Sequence, residues 1–157
     1  MKKIIIPRIV VCSSASLYDE LIVLSREIDS TKINLVLPDM AERMKNGSAD
    51  SDEAKINWSE VGYDYKASLI RGHFSEIEKC DAVLVTNFAK SGKENYIGGN
   101  VLMEMTVAFY LKKPIVILNS APEYSPLYDE IMGMQPIFLN GDISALEEVS
   151  EELITRP

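Results

Sequence analysis

Glu104 is the residue whose surroundings most call for a chemical reason. The stretch from Tyr96 to Leu118, YIGGNVLMEMTVAFYLKKPIVIL, predicts a helix over Val101–Leu111, dense in good helix formers and bounded by Gly98-Gly99-Asn100 and Pro114. On that helix the neighbours of Glu104 at helical spacing are Val101, Ala108 and Leu111, while Thr106, Tyr110 and Lys113 carry the polar side. Glu104 is therefore expected on the apolar face. A carboxylate there loses hydration and, if unpaired, protonates sooner than it stays charged. Stabilisation of the first turn by the macrodipole is one explanation, worth roughly 0.3 to 1 kcal/mol. With Asn100 as N-cap, however, the capping-box position is Met103, and Glu104 falls one residue too far in. The other explanation is a site. A carboxylate at the base of an apolar crevice, beside hydroxyls and amides, suits attack at a sugar anomeric carbon or anchoring of ribose hydroxyls. The first chemistry requires an ionised carboxylate and a second acid for the leaving base, for which Glu94, Glu123, Asp129 and Asp142 qualify only by lying in loops.

The elements that would position Glu104 alternate apolar, β-branched runs with helical patterns, as in an α/β domain with a parallel sheet. Strand one is expected at Ile4–Cys12, strand two at Ile33–Leu37, strand three at Asp81–Thr86, strand four at Pro114–Leu118 and strand five at Pro136–Leu139. Helices are expected at about Leu17–Ile28, Tyr63 or Tyr65 to Lys79, and Ile143–Ile154. In such a sheet the carboxyl ends of all strands share one edge, where ligands bind at the reversal of strand order. Ser13 to Ser16, Asn87 to Asn100, Asn119 to Tyr128 and Asn140 to Asp142 all fall there. Ser13, Ser14 and Ser16 offer amides and hydroxyls to an anion, although Ser16 followed by Asp19 and Glu20 also reads as an ordinary N-cap. Residues 39–60 turn polar and acid-leaning and are expected to form a long, partly mobile excursion, either a functional flap or a disordered insertion. The segment APEYSPLYDEIMGMQ after strand four suits a lip over the site or packing against another subunit.

The chain has 157 residues, 46% hydrophobic and 25% charged, as expected of one globular domain, and its net charge of −8 argues against binding a nucleic acid polymer. No stretch has the length of a membrane span, and the basic start is interrupted by Pro7-Arg8 before any signal-peptide core, so the expected compartment is the cytoplasm. Cys12 and Cys80 are expected at opposite strand ends and unpaired. His73, the lone histidine, has no cysteine or acidic partner at ligand spacing and is expected to be structural or exposed. No cofactor and no metal are expected.

Met103-Glu104-Met105-Thr106-Val107-Ala108, preceded by a long loop and a Gly-rich turn and followed by Lys113-Pro114-Ile115, resembles the nucleoside 2-deoxyribosyltransferase family and its nucleotide N-glycosidase relatives. The run Cys80 to Asn87 also resembles that family's third strand. The resemblance spans Ile9 to about Asp142 and implies Glu104 as nucleophile toward the anomeric carbon of a 2′-deoxyribose. It implies a nucleoside or nucleotide as small-molecule ligand, bound near Ser13, Ser14, Ser16, Asn87, Gly98, Gly99, Asn100 and Asn119. Asn87 and Gly98 stand where the family usually has aspartates associated with the base and its proton, and Thr106 where it has glycine. A non-catalytic nucleotide-binding or sensing module is therefore the alternative. The expected architecture is a single-domain three-layer sandwich with a five-stranded parallel sheet in flavodoxin-like order 2-1-3-4-5. A homo-oligomer is expected too, since family members assemble and the lip, with Met132 and Met134, is apolar for a free surface.

Overall fold

The computed structural model describes residues 5–155. Five strands form one parallel sheet in the order β2-β1-β3-β4-β5: β1 (Arg8–Cys12), β2 (Asn34–Val36), β3 (Ala82–Val85), β4 (Ile115–Ile117) and β5 (Ile137–Phe138). The register sets Ile9 beside Ala82 and Cys12 beside Val85, then Val83 beside Ile115. This is the expected three-layer α/β sandwich with flavodoxin-like strand order. No helix among the described residues is long and apolar enough to cross a membrane.

Side chains alternate across the sheet and feed two cores. Val10, Cys12, Val83, Val85, Ile115 and Ile117 pack on one face with Ile77 of α4 (Tyr63–Glu78), Val101, Met105 and Ala108 of α5 (Gly99–Tyr110) and Ile131 of α6 (Tyr128–Gly133). Ile9, Val11, Leu84 and Val116 pack on the other with Leu21 of α1 (Tyr18–Ser25), Ala41 of α2 (Asp39–Lys45) and Leu146 of α7 (Ala145–Thr155). Burial on both faces is why these strands read as unbroken apolar runs.

Several boundaries differ from expectation for identifiable reasons. Of the expected first strand, Ile4 lies outside the described residues, and the ladder begins only at Arg8. Pro7 has no amide proton to give a ladder, and Ile5 and Ile6 before it are exposed. Arg8 is tied at that point to Asp81, whose carboxylate accepts from the Arg8 amide at 2.7 Å. The first helix starts with a 3-10 turn, Ala15–Leu17, and α1 ends at Ser25, where the hydroxyl turns back on the Ile22 carbonyl at 2.7 Å.

The stretch 39–60 is more structured than a plain excursion. It opens with α2, whose acids Asp39 and Glu42 stand in the first turn and whose bases Arg43 and Lys45 stand in the last, the arrangement that the helix dipole favours. Ala41 anchors it in the core. Its polar middle is folded on itself: Asn46 Oδ1 accepts from the Ser48 amide, and Asp50 Oδ1 from the amides of Asp52 and Glu53. It closes with α3 (Trp58–Val61), capped by Asn57.

The helix that carries Glu104 begins at Gly99, two residues before the expected start. Its N-cap is Gly98, with no side-chain cap, so Asn100 is not the cap but a residue of the first turn. Burial of Val101, Met105 and Ala108 against the sheet holds it, each larger side chain contributing on the order of 1.5 to 3 kcal/mol.

Candidate functional site

The crevice lies where the strand order reverses, between the carboxyl ends of β1 and β3. Two neighbouring cavities of about 870 and 540 Å³ open there, and both are lined by Ala15, Tyr18, Trp58, Asn100 and Met103. Among the described residues, side chains of the chain itself therefore do not fill the edge. The larger cavity meets Ser14, Ser16, Lys90, Tyr96, Gly98 and Gly99. The smaller has Glu104 and His73 in its wall, beneath residues of α2.

Glu104 sits five residues into α5, about 7.5 Å along its axis, on the face turned to the sheet. Its side chain is 17% exposed and its Oε2 is buried with no hydrogen-bond partner. Burial pushes the carboxyl up to about 8, and a hydrogen bond with the Cys12 thiol pulls it down only in part. Burial thus favours the protonated carboxyl near neutral pH, as an unpaired carboxylate on an apolar face is expected to behave, whereas attack on a sugar requires the ionised form.

Beside it stand residues that sequence spacing did not bring together. His73 Nε2 is 3.6 Å from Glu104 Oε2 and 4.0 Å from Cys12 Sγ. Burial lowers the imidazole pKa, with Glu76 and the Val11 backbone opposing. A neutral imidazole facing a protonated carboxyl is not an ion pair, and 3.6 Å is too long for a strong hydrogen bond. The thiol of Cys12 is likewise pushed well up, first by burial and then by the Glu104 charge. Tyr18 borders both cavities, and its phenol is pushed up by burial and by the same carboxylate. The expectation that His73 lacks a cysteine or acidic partner is thus corrected: β1 and α5 supply both. Cys12 and Cys80 are unpaired, as expected.

The remaining predicted residues divide into two groups. Ser14, Ser16, Gly98, Gly99 and Asn100 all line the larger cavity, and Lys90 Nζ donates to Ser14 Oγ at 3.0 Å while lying 5.0 Å over the Tyr96 ring. A Cβ added to Gly98 would come within 3.0 Å of the Tyr96 hydroxyl, so the phenol occupies the space that a side chain there would need. Ser13, Asn87 and Asn119 line neither cavity. Ser13 is buried with its hydroxyl unpartnered. Asn87 is fully buried, its amide donating to the Ser120 carbonyl at 2.8 Å and accepting from the Asn119 amide at 2.8 Å, while Asn119 Nδ2 returns to the Asn87 carbonyl. Fully buried and outside both cavities, Asn87 presents no exposed edge to a base. Glu94, Glu123, Asp129 and Asp142 are exposed and border neither cavity.

Cys12, His73, Tyr18 and Lys90 are the residues that sequence reasoning did not place in the site. Parity held one signal: Cys12 shares the strand face of Val10, the face that α5 covers, and His73 precedes buried Ile77 by one helical turn. No protein-family model matches this chain, and a search of curated proteins found no match.

Proposed function

We propose that the protein cleaves or transfers at the N-glycosidic bond of a deoxyribonucleoside or deoxyribonucleotide, with Glu104 as nucleophile. The observation that carries this reading is a carboxyl with one buried, unpartnered oxygen in the wall of a crevice at the sheet's switch point, adjoining a cavity lined by serine hydroxyls, Lys90 and the start of α5. The sugar ring occupies the space under Met103 and Trp58, and a 5′ group extends toward Ser14, Ser16 and Lys90. In the first step a Glu104 oxygen forms a bond to the anomeric carbon and the bond from carbon to the base nitrogen breaks. The electron pair leaves with the base, which takes up a proton; water or a second base then displaces the carboxylate. Tyr18, which borders both cavities and whose phenol is pushed up by burial and by Glu104, supplies a hydrogen-bond donor to the bound sugar or base.

A panel of deoxyribonucleosides and their 5′-monophosphates, screened by thermal shift and then by chromatography of the products, tests the proposal. Free or exchanged base from the wild type and none from Glu104→Ala is the expected outcome; no base from any member of the panel rejects it. The raised pKa of Glu104 favours a second reading, binding without turnover, because a protonated carboxyl donates hydrogen bonds to ribose oxygens but does not attack. That reading predicts a nucleotide-dependent rise in melting temperature with every base intact.

A further inference from the structure

We propose that Cys12, His73 and Glu104 form a site for one thiophilic divalent cation of the zinc type at the floor of the cleft. Their ligand atoms, one sulfur, one nitrogen and one oxygen, lie within 4.8 Å of one another. In a tetrahedral zinc site with bonds of about 2.3 Å to sulfur and about 2.0 Å to nitrogen or oxygen, neighbouring ligand atoms stand roughly 3.3 to 3.5 Å apart. Two of the three separations, 4.0 Å from Cys12 Sγ to His73 Nε2 and 3.6 Å from His73 Nε2 to Glu104 Oε2, exceed this by only a few tenths of an ångström, and the third is no longer than 4.8 Å, so side-chain rotation closes the site on a cation.

The three ligands come from three packed elements, β1, α4 and α5, whose buried neighbours Val10, Ile77 and Met105 share one core. The frame is therefore fixed before any cation arrives. Oε2 of Glu104 is a buried acceptor without a partner, and a cation would satisfy it. Mixed sulfur, nitrogen and oxygen donors select zinc and its substitute cobalt over magnesium or calcium, which require all-oxygen shells. Cys12 is fully buried, whereas His73 and Glu104 are 15% and 17% exposed toward the cavity, so the fourth position faces the cleft and takes water. On binding, the thiol and carboxyl protons pass to solvent, and the two resulting negative charges balance the cation.

The test is a cobalt titration of the full-length, reduced, chelator-treated protein, followed in the near ultraviolet and visible. The expected result is a thiolate-to-cobalt charge-transfer band that saturates at one equivalent and disappears when zinc is added. Cys12→Ser removes the band and Cys80→Ser keeps it. Glu104→Gln and His73→Gln, checked for folding by circular dichroism, weaken binding by at least about tenfold, since loss of even an outer partner of a metal ligand costs that much. No band at stoichiometric cobalt, or a band that survives Cys12→Ser, overturns the proposal. Base release assayed in chelator tests the glycosidic reading separately, and cobalt binding without base release sinks that reading alone. Zinc is expected to suppress any base release, because the cation takes up the carboxylate that attacks.

Discussion

Two buried polar junctions flank β3 and are built in opposite ways. At its carboxyl end Asn87 is fully buried and its side-chain amide is hydrogen-bonded on both sides, to the Asn119 amide and the Ser120 carbonyl. Under α5, Glu104, His73 and Cys12 are packed together, yet Glu104 Oε2 has no hydrogen-bond partner and burial opposes its charge. A satisfied buried group holds the chain in place, whereas an unsatisfied one lowers stability unless something else completes it. The first junction is thus fastening, and the second leaves a buried polar atom unsatisfied, as the proposed ligand site requires.

Removing the fastening should have the largest effect. Asn87→Ala strands the Asn119 amide and the Ser120 carbonyl, costing roughly 2 to 4 kcal/mol and lowering the melting temperature by about 5 to 15 °C. An unchanged melting temperature would erase the contrast between the two junctions.

The opposite sign is expected under α5. Burial pushes the Glu104 carboxyl up to about 8 in the folded state, from an ordinary value of 4.5. The folded state therefore holds its proton longer, and the stability this lends is complete below the unfolded value and is lost as pH rises from about 4.5 to about 8. Glu104→Gln in metal-free protein should flatten that fall and stabilise the fold at pH 8 by on the order of 1 to 3 kcal/mol, read by urea denaturation at several pH values. A glutamine variant less stable than wild type at pH 8 would show that the carboxylate is paired after all.

If Glu104 attacks as an anion, kcat/KM for base release in metal-free protein should rise with pH and level off above about 8. A profile already flat at pH 6 would mean a carboxylate with an ordinary pKa. The smallest expected effect is that of Lys90→Ala, which removes the contact with Ser14 Oγ. It should change stability by less than about 1 kcal/mol, yet reduce the thermal shift from 5′-monophosphates more than that from nucleosides. Equal loss for both would remove the phosphate from the proposed pose.

The sheet and the organising helix were legible because their signals are local. Unbroken Ile and Val runs marked the strands, and the apolar neighbours of Glu104 fixed the face it shares with Val101 and Ala108. The floor of the cleft was not legible in the same way. His73 meets Cys12 across 61 positions, a separation that periodicity does not cross. Asn87 reads the same in a sequence whether it offers its amide to a ligand or, as here, to a neighbouring loop. The N-cap was misplaced because Gly98 and Asn100 both suit one, and tertiary packing of α5 chose the glycine. Within 39–60 the charges were visible, but the Ala41 anchor that makes α2 part of the core was not.

Intact-protein mass spectrometry of metal-free protein at pH 8, quenched soon after mixing with the deoxyribonucleosides and their monophosphates, measures the role of Glu104 most directly. The expected result is an added mass of one deoxyribosyl unit, or its phosphate, mapped by peptide analysis to Glu104 and absent from Glu104→Gln. Base release by the glutamine variant at the wild-type rate, or an adduct mapped to another residue, would contradict it.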